Sequence, residues 1–309
     1  MTLEDVVETI RKITPTFALP FAKRCWRHYQ ILHSNTQETL KIQEIHRYYK
    51  SKRCSSEIKE VLSGIRKYGL QPFPYIWAEQ PVESTIDVYF DDDKKLPFVF
   101  LDGKRLYYPR EMSSEDIQRY HYSVQMVEQH PSSPHRYLTD TFDVSDTDIV
   151  ADCGVAEGNF GLSVVDRVQK LYLFEPEEKW MEPLHATFSP WKDKVEIVQT
   201  YISDSIRGGS VSNTIDNYFS DKEPPTFLKL DVEGFEQRVL TGATKSIESG
   251  KVKKIVSCAY HYADDEEILG NFLHSHGYSV TPSHGYMIFS MYDELKPPYF
   301  RRGLLRGTI

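Results

Sequence analysis

The sequence predicts an α/β fold in which a seven-stranded sheet carries helices on both faces and follows a mainly helical N-terminal region. Three observations predict it. From Asp148 onward, short apolar runs alternate with helical segments, the pattern of βαβ units. The first of those runs ends in a glycine-rich turn that opens a helix. Before residue 70 the apolar residues recur instead at helical spacing.

In chain order, Leu3, Val6, Val7 and Ile10 share one helical face behind a Thr2 cap with Asp5 three residues later, and Pro15 and Pro20 end that segment. Helices are expected next over Phe21 to His33, Thr36 to Lys52, and Ser55 to about Tyr68, stopped by Gly69. Pro72, Pro74 and Pro81 break the helical pattern. Phe98 to Leu101 and Arg105 to Tyr108, joined through Asp102-Gly103, read as a hairpin. A helix over Ser113 to His130 is entered through Ser113 and Asp116 and stopped by Pro131 and Pro134. The expected division is a mainly helical region with a hairpin over 1–110, serving substrate or oligomer contacts, and a cofactor-binding domain over 111–309.

Strands of the sheet are expected at Ile149 to Cys153, Lys170 to Phe174, Val195 to Gln199, Phe227 to Leu230, Lys254 to Cys258, Tyr278 to Thr281 and Tyr286 to Ser290. Helices fill the gaps between the first six, and a turn at Ser283 to Gly285 joins the last two. No internal repeat or low-complexity segment interrupts this order.

Composition narrows the partners. A net charge of -8 over 309 residues disfavours capture of a nucleic-acid backbone or an anionic membrane, which needs an excess of Lys and Arg. Cys25, Cys54, Cys153 and Cys258 form no C-x-x-C pair, which suggests neither a zinc site nor a disulfide framework and points to the reducing cytosol. No signal peptide is read, because Met1 to Ile13 mixes acidic and basic residues rather than forming a charged n-region followed by an apolar stretch, and no membrane span, because no run approaches about 18 apolar residues. The expected partner is a small molecule or glycan, in a cytoplasmic protein able to form a homo-oligomer.

The chemistry starts at Asp152-Cys-Gly154-Val-Ala-Glu157-Gly158-Asn-Phe-Gly161, where glycines let backbone approach a ligand; a plain tight strand-to-helix turn is the alternative. Glu175 ends the second strand 23 residues after Asp152, the register of an acid that accepts hydrogen bonds from ribose hydroxyls on a Rossmann-like sheet. A dinucleotide loop spaces its first two glycines two apart, whereas Gly154 and Gly158 are four apart. Asp152 and Glu157 would also repel a pyrophosphate. S-adenosyl-L-methionine has no phosphate and carries a sulfonium, so the acids Asp152, Glu157, Glu175, Asp204 and Asp231 suit it better. Ser203-Asp204, after the third strand, is a candidate for reading the adenine amino group, or else a plain turn.

The fourth strand runs into Lys229-x-Asp231-x-Glu233-Gly234-x-Glu236-x-x-Val239-Leu240-x-Gly242, which places Asp231 at the carboxyl end of the sheet where open α/β folds bind ligands. Glu233 and Glu236 also fit a helix start favoured by the macrodipole. Together with Asp152-x-Gly154-x-x-x-Gly158 and Phe174-Glu175-Pro176, this motif resembles the FkbM-type S-adenosylmethionine-dependent methyltransferases over about half the chain, from Asp148 onward. The resemblance implies a class I methyltransferase fold with strand order 3-2-1-4-5-7-6 and O-methylation of hydroxyls on sugars or polyketide-type products. The helical N-terminal region matches no motif.

Methyl transfer to an alcohol calls for a positioned acceptor and help with its proton. His261, in Cys258-Ala-Tyr-His261-Tyr262 after the fifth strand, is the expected base, beside Asp231 and Glu236 as further catalytic residues, and its ordinary pKa near 6.5 suits proton acceptance. A divalent metal held by Asp231 and His261, with Glu233 or Glu236, is the competing device. Tyr260, Tyr262 and Tyr286 are candidates for an aromatic wall, and His284 with Arg301, Arg302 and Arg306 for solvated surface or an anionic substrate. The rival readings of the whole chain are an NAD(P)-dependent Rossmann oxidoreductase and a non-catalytic, methyltransferase-like scaffold.

Overall fold

The computed structural model describes residues 35–79, 86–208, 211–291 and 294–309. The expected helices before residue 34, with Pro15, Pro20 and Cys25, and Pro81 lie outside the described residues. The chain divides into two compact units: the described residues of Met1–Glu79 with Tyr286–Arg301, and those of Gln80–Gly285 with Arg302–Ile309.

In the smaller unit, α1 (Asn35–Lys50) and α2 (Ser56–Tyr68) follow the expected helices. Ser55 caps α2 by accepting the Ile58 N–H at 3.3 Å, and Gly69 ends it. The Glu38 carboxylate accepts the Leu70 N–H at 2.8 Å, tying the exit of α2 back to α1. Tyr286 to Ser290 is not a strand. It returns to this unit, where Ile288 N–H donates to Pro72 O, and Met287 makes an isolated bridge with Arg301.

In the larger unit, β1 (Tyr89–Asp91), β2 (Leu96–Leu101) and β3 (Lys104–Tyr107) form a small antiparallel sheet. The β2–β3 turn is the expected Asp102-Gly103, both at positive φ (50° and 77°), the conformation a two-residue hairpin needs. Ser113 accepts the Asp116 N–H and caps α3 (Ser114–His121), which is shorter than expected because Tyr122–Val127 widens into a π-helical turn.

The main sheet is built from β4 (Ile149–Cys153), β5 (Lys170–Phe174), β6 (Val195–Val198), β9 (Phe227–Leu230), β10 (Lys254–Cys258), β11 (Ser279–Pro282) and β12 (Leu304–Thr308), in the order β11-β12-β10-β9-β4-β5-β6. All neighbours are parallel except β12, which runs antiparallel to both β10 and β11. Counted along the main sheet, this is 3-2-1-4-5-7-6. Helices α4 (Asn159–Val164), α5 (Glu178–Phe188), α7 (Glu236–Thr241), α8 (Thr244–Glu248) and α9 (Asp265–Ser275) join the strands. After β6, the short β7 (Tyr201–Ile202) and β8 (Ser212–Asn213) pair with each other before α6 (Ile215–Tyr218).

The seventh strand corrects the expectation. It comes from the segment read as a basic tail, and Arg306 within it is buried, its Nε donating to Tyr137 O at 3.2 Å and its Nη2 to Arg136 O. Arg301 is also buried, and Arg302 donates to Ser283 O and Gly285 O at 3.1 Å. Backbone carbonyls thus accept from the Arg302 and Arg306 guanidinium groups, which the sequence pattern assigns to solvated surface or an anionic substrate.

One apolar core, including Ala151, Tyr172, Leu228, Leu240, Ile255 and Leu269, packs helices onto the sheet. Strand order reverses between β4 and β9: succeeding strands step one way from β4 and the other way from β9. The crevice at their carboxyl ends is therefore the place such sheets offer a ligand.

Candidate functional site

The β4–β9 pairing sets Asp152 directly beside Lys229. Both side chains are buried, with Lys229 Nζ 2.9 Å from Asp152 Oδ1 and donating to Gly154 O at 2.6 Å. Burial alone would lower the Lys229 pKa, but the carboxylates of Asp152 and Asp231 raise it by more and keep the side chain charged. Asp152 therefore spends its charge on Lys229 inside the sheet, and its side chain is only 1% exposed. Lys229 had a visible signal in the sequence: it is the one charged residue in the strand Phe-Leu-Lys-Leu, and such a residue needs a buried partner.

Beyond Asp152 the chain turns through Gly154 at φ 80°, and a side chain there would drive Cβ to 1.7 Å from Asp231 O. The glycine is what lets the loop cross the end of β9. Ala156 and Gly158 also take positive φ before α4 begins at Asn159, as expected. Glu175 closes this loop: its Oε2 accepts the Ala156 N–H and its Oε1 the Glu177 N–H, both at 2.8 Å. Burial raises the Glu175 pKa, and these two N–H groups oppose that rise. Glu157 turns inward, where it accepts a hydrogen bond from Tyr120 Oη at 2.8 Å, and burial pushes its pKa up to about 7.

Asp231, at the end of β9, accepts from Tyr137 Oη at 2.6 Å and has a side chain 20% exposed. Burial would raise its pKa; Lys229, His135, His261 and the Tyr137 hydroxyl outweigh that and hold it at about 2. His261 is fully buried, its Nδ1 3.2 Å from Glu236 Oε1 and its Nε2 3.9 Å from the exposed Glu233 carboxylate. Burial would depress the imidazole, yet Glu236, Asp231 and Glu233 push its pKa up to about 9. The expectation of an ordinary value near 6.5 fails because three acids surround the ring. Glu236 is buried too and accepts the Val232 N–H at 2.9 Å, which bends the chain after β9 back toward His261.

The structure thus brings Asp231, Glu236 and His261 together, one ligand atom from each lying within 4.8 Å of the others. The Gly154–Gly158 loop, Glu157 and Glu175 gather at the neighbouring strand ends. Ser203 and Asp204 lie beside α7, where Ser203 and Ser205 donate to Asp204 Oδ1 and Arg238 Nε lies 3.8 Å from Oδ2. Tyr260 is buried against His261, Tyr262 is exposed beside Gly234, and Tyr286 belongs to the smaller unit. A cavity of about 370 Å³ includes Gln129, Arg136, Asn159 and Phe160 in its wall but none of Asp152, Glu175, Asp231 or His261.

His135, Tyr137 and Cys258 carry no motif and surround Asp231 all the same. They are adjacent only because the loop before β4 folds across the ends of β9 and β10.

No curated protein matches this chain. Among solved structures, it is similar to an FkbM methyltransferase from Methylobacillus flagellatus KT, with 19% identity, a TM-score of 0.44, and coverage of 62% of this chain and 52% of that one. The chain therefore spans about half the length of that protein. It is also similar to a precorrin-6y C5,15-methyltransferase from Geobacter metallireducens GS-15, with 13% identity, a TM-score of 0.36, and coverage of 53% and 79%. The assignment of a seven-stranded α/β sheet rests on its own strand order. Residues 209–280, which carry Asp231, Glu233, Gly234, Glu236 and His261, match the model of the Methyltransferase FkbM domain, the family that the same motifs resemble.

Proposed function

We propose that this chain is an S-adenosylmethionine-dependent O-methyltransferase acting on a hydroxyl of a sugar, glycan precursor or related small molecule. The observation that carries the reading is Glu175, held by the Ala156 and Glu177 N–H groups at the mouth of the glycine loop. Each of its oxygens accepts one N–H and retains a lone pair for a ribose hydroxyl. The donor set fits the cofactor at its other end as well, since Asp231 stays ionised at the strand ends and favours a cation over a pyrophosphate. Bound S-adenosylmethionine supplies an electrophilic methyl group.

The chain's own residues orient the acceptor and handle its proton. His261 is the proposed proton acceptor, positioned by Glu236. The acids that raise its pKa make the neutral ring a stronger base while making it the minority form near neutral pH. A divalent cation is the second reading, favoured by the convergence of Asp231, Glu236 and His261. Three described cysteines, Cys54, Cys153 and Cys258, are free, which supports a cytoplasmic setting. Among the described residues no helix is long and apolar enough to cross a membrane.

Calorimetry with S-adenosylhomocysteine and with NAD(H) tests the cofactor: binding of the first and not the second is expected, and the reverse makes the chain an oxidoreductase. Binding without turnover across a broad panel of sugar and small-molecule hydroxyls favours the scaffold reading. Given turnover, His261→Ala is compared with and without chelator; full activity in the variant removes the base, and indifference to chelator removes the metal.

A further inference from the structure

We propose that His135, Asp231 and Cys258 form a binding site for a zinc-class divalent cation. The proposal goes beyond the methyl-transfer reading and does not rest on it. The three residues come from separate segments: the loop before β4, the end of β9 and the last residue of β10. Cys258 Sγ lies 3.6 Å from His135 Nε2, which lies 3.8 Å from Asp231 Oδ2, and the three ligand atoms all fall within 4.8 Å of one another. Tetrahedral zinc, with bonds of about 2.3 Å to sulfur and about 2.0–2.2 Å to nitrogen and oxygen, separates its ligand atoms by about 3.3–3.6 Å. The two His135 distances, 3.6 and 3.8 Å, are within a few tenths of an ångström of that range, and the Cys258–Asp231 pair would close to it by side-chain movement.

The donor chemistry selects the metal. One thiolate, one imidazole and one carboxylate suit zinc or cobalt, whereas magnesium and calcium prefer oxygen alone. The neighbouring group of Asp231, Glu236 and His261 has no sulfur and so offers a harder donor set.

The surroundings of His135 supply an independent observation. The ring is buried, its Nδ1 makes no hydrogen bond among the described residues, and it faces the Glu128 carboxylate at 3.8 Å. Histidine ligands characteristically present their second nitrogen to such a carboxylate, which fixes the ring with the other nitrogen toward the metal. Tyr137 Oη donates to Asp231 Oδ2, and the Tyr260 hydroxyl, 3.2 Å from His135 Nε2, would give up that contact when the nitrogen binds the ion. Metal binding would release the Cys258 thiol proton to solvent, and the thiolate with the Asp231 carboxylate would balance the cation's two charges.

The test uses the full chain stripped by chelator and titrated with Co²⁺, with Zn²⁺ as competitor. One Co²⁺ per chain is expected, with a thiolate-to-cobalt charge-transfer band that Zn²⁺ abolishes. Cys258→Ser should lose the band and weaken binding at least about tenfold, whereas Cys54→Ser and Glu236→Gln should keep it. Absence of stoichiometric binding, or binding without the band, overturns the proposal in the wild-type chain itself, whatever the folding of the variants. A band that survives Cys258→Ser overturns it as well. S-adenosylhomocysteine binding, measured on the same preparation, reports separately on the methyl-transfer reading.

Discussion

Replacing Glu157 by Gln isolates a buried acid whose protonation is coupled to folding. The carboxyl is 2% exposed, and burial moves its pKa from an ordinary 4.5 up to about 7. At about 1.4 kcal/mol per pH unit, ionising it in place costs the native state about 3 kcal/mol. The native state binds this proton more tightly than the unfolded chain, so between those two values it holds more protons and stability falls as pH rises. The contribution is fully present below 4.5 and lost once pH has passed about 7. Gln keeps an acceptor for the Tyr120 hydroxyl but has no proton to lose. Urea denaturation of both proteins from about pH 4.5 to 8.5 should show the variant gaining about 3 kcal/mol relative to wild type across that window. Other titrating groups, such as Asp265 with its pKa raised by burial to about 6, cancel in the difference. A difference constant to within about 0.5 kcal/mol would refute the reasoning, because it would mean that Glu157 is solvated or paired with a cation in solution.

Three further outcomes follow from the same geometry. Lys229→Met should cost about 3–5 kcal/mol by leaving Asp152 buried without its partner, and Asp152→Asn in the same chain should recover part of that; equal midpoints for the single and double variants would show that the ion pair is not the cause. Gly154→Ala should destabilise by about 3 kcal/mol or more, because its Cβ meets the Asp231 carbonyl, while Gly103→Ala, at similar φ in open space, should cost about 1 kcal/mol; similar losses at both sites would assign the effect to φ alone. Glu175→Gln sets an amide N–H against the Ala156 or Glu177 N–H and should weaken S-adenosylhomocysteine binding about 10–100-fold by calorimetry, whereas affinity within about twofold of wild type would remove Glu175 from the cofactor site.

Six of the seven strands, the glycine turn and its acid at Glu175 were legible because they depend on local pattern: an apolar run, a turn residue, a register of 23 residues. The seventh strand was not. Leu304–Thr308 reads as a basic tail until the Tyr137 and Arg136 carbonyls are seen to accept from Arg306. The acids were legible as a group but not as individuals, since burial and partners assign their roles. Asp152 is neutralised by a strand neighbour, Glu157 is pushed toward neutrality, and Asp231 is held ionised by Lys229 on its own strand with His135, His261 and the Tyr137 hydroxyl.

The glycine loop, the order of the βα units and the motif from Lys229 to Gly242 are properties of the chain read in line, and the sequence by itself determined them. Tertiary structure decided which residues share the crevice with Asp231. His135 and Cys258 stand 123 positions apart and touch at 3.6 Å. Only the parallel pairing of β10 with β9, and the loop laid across their ends, brings them together, because proximity across a sheet follows strand order and not distance along the chain.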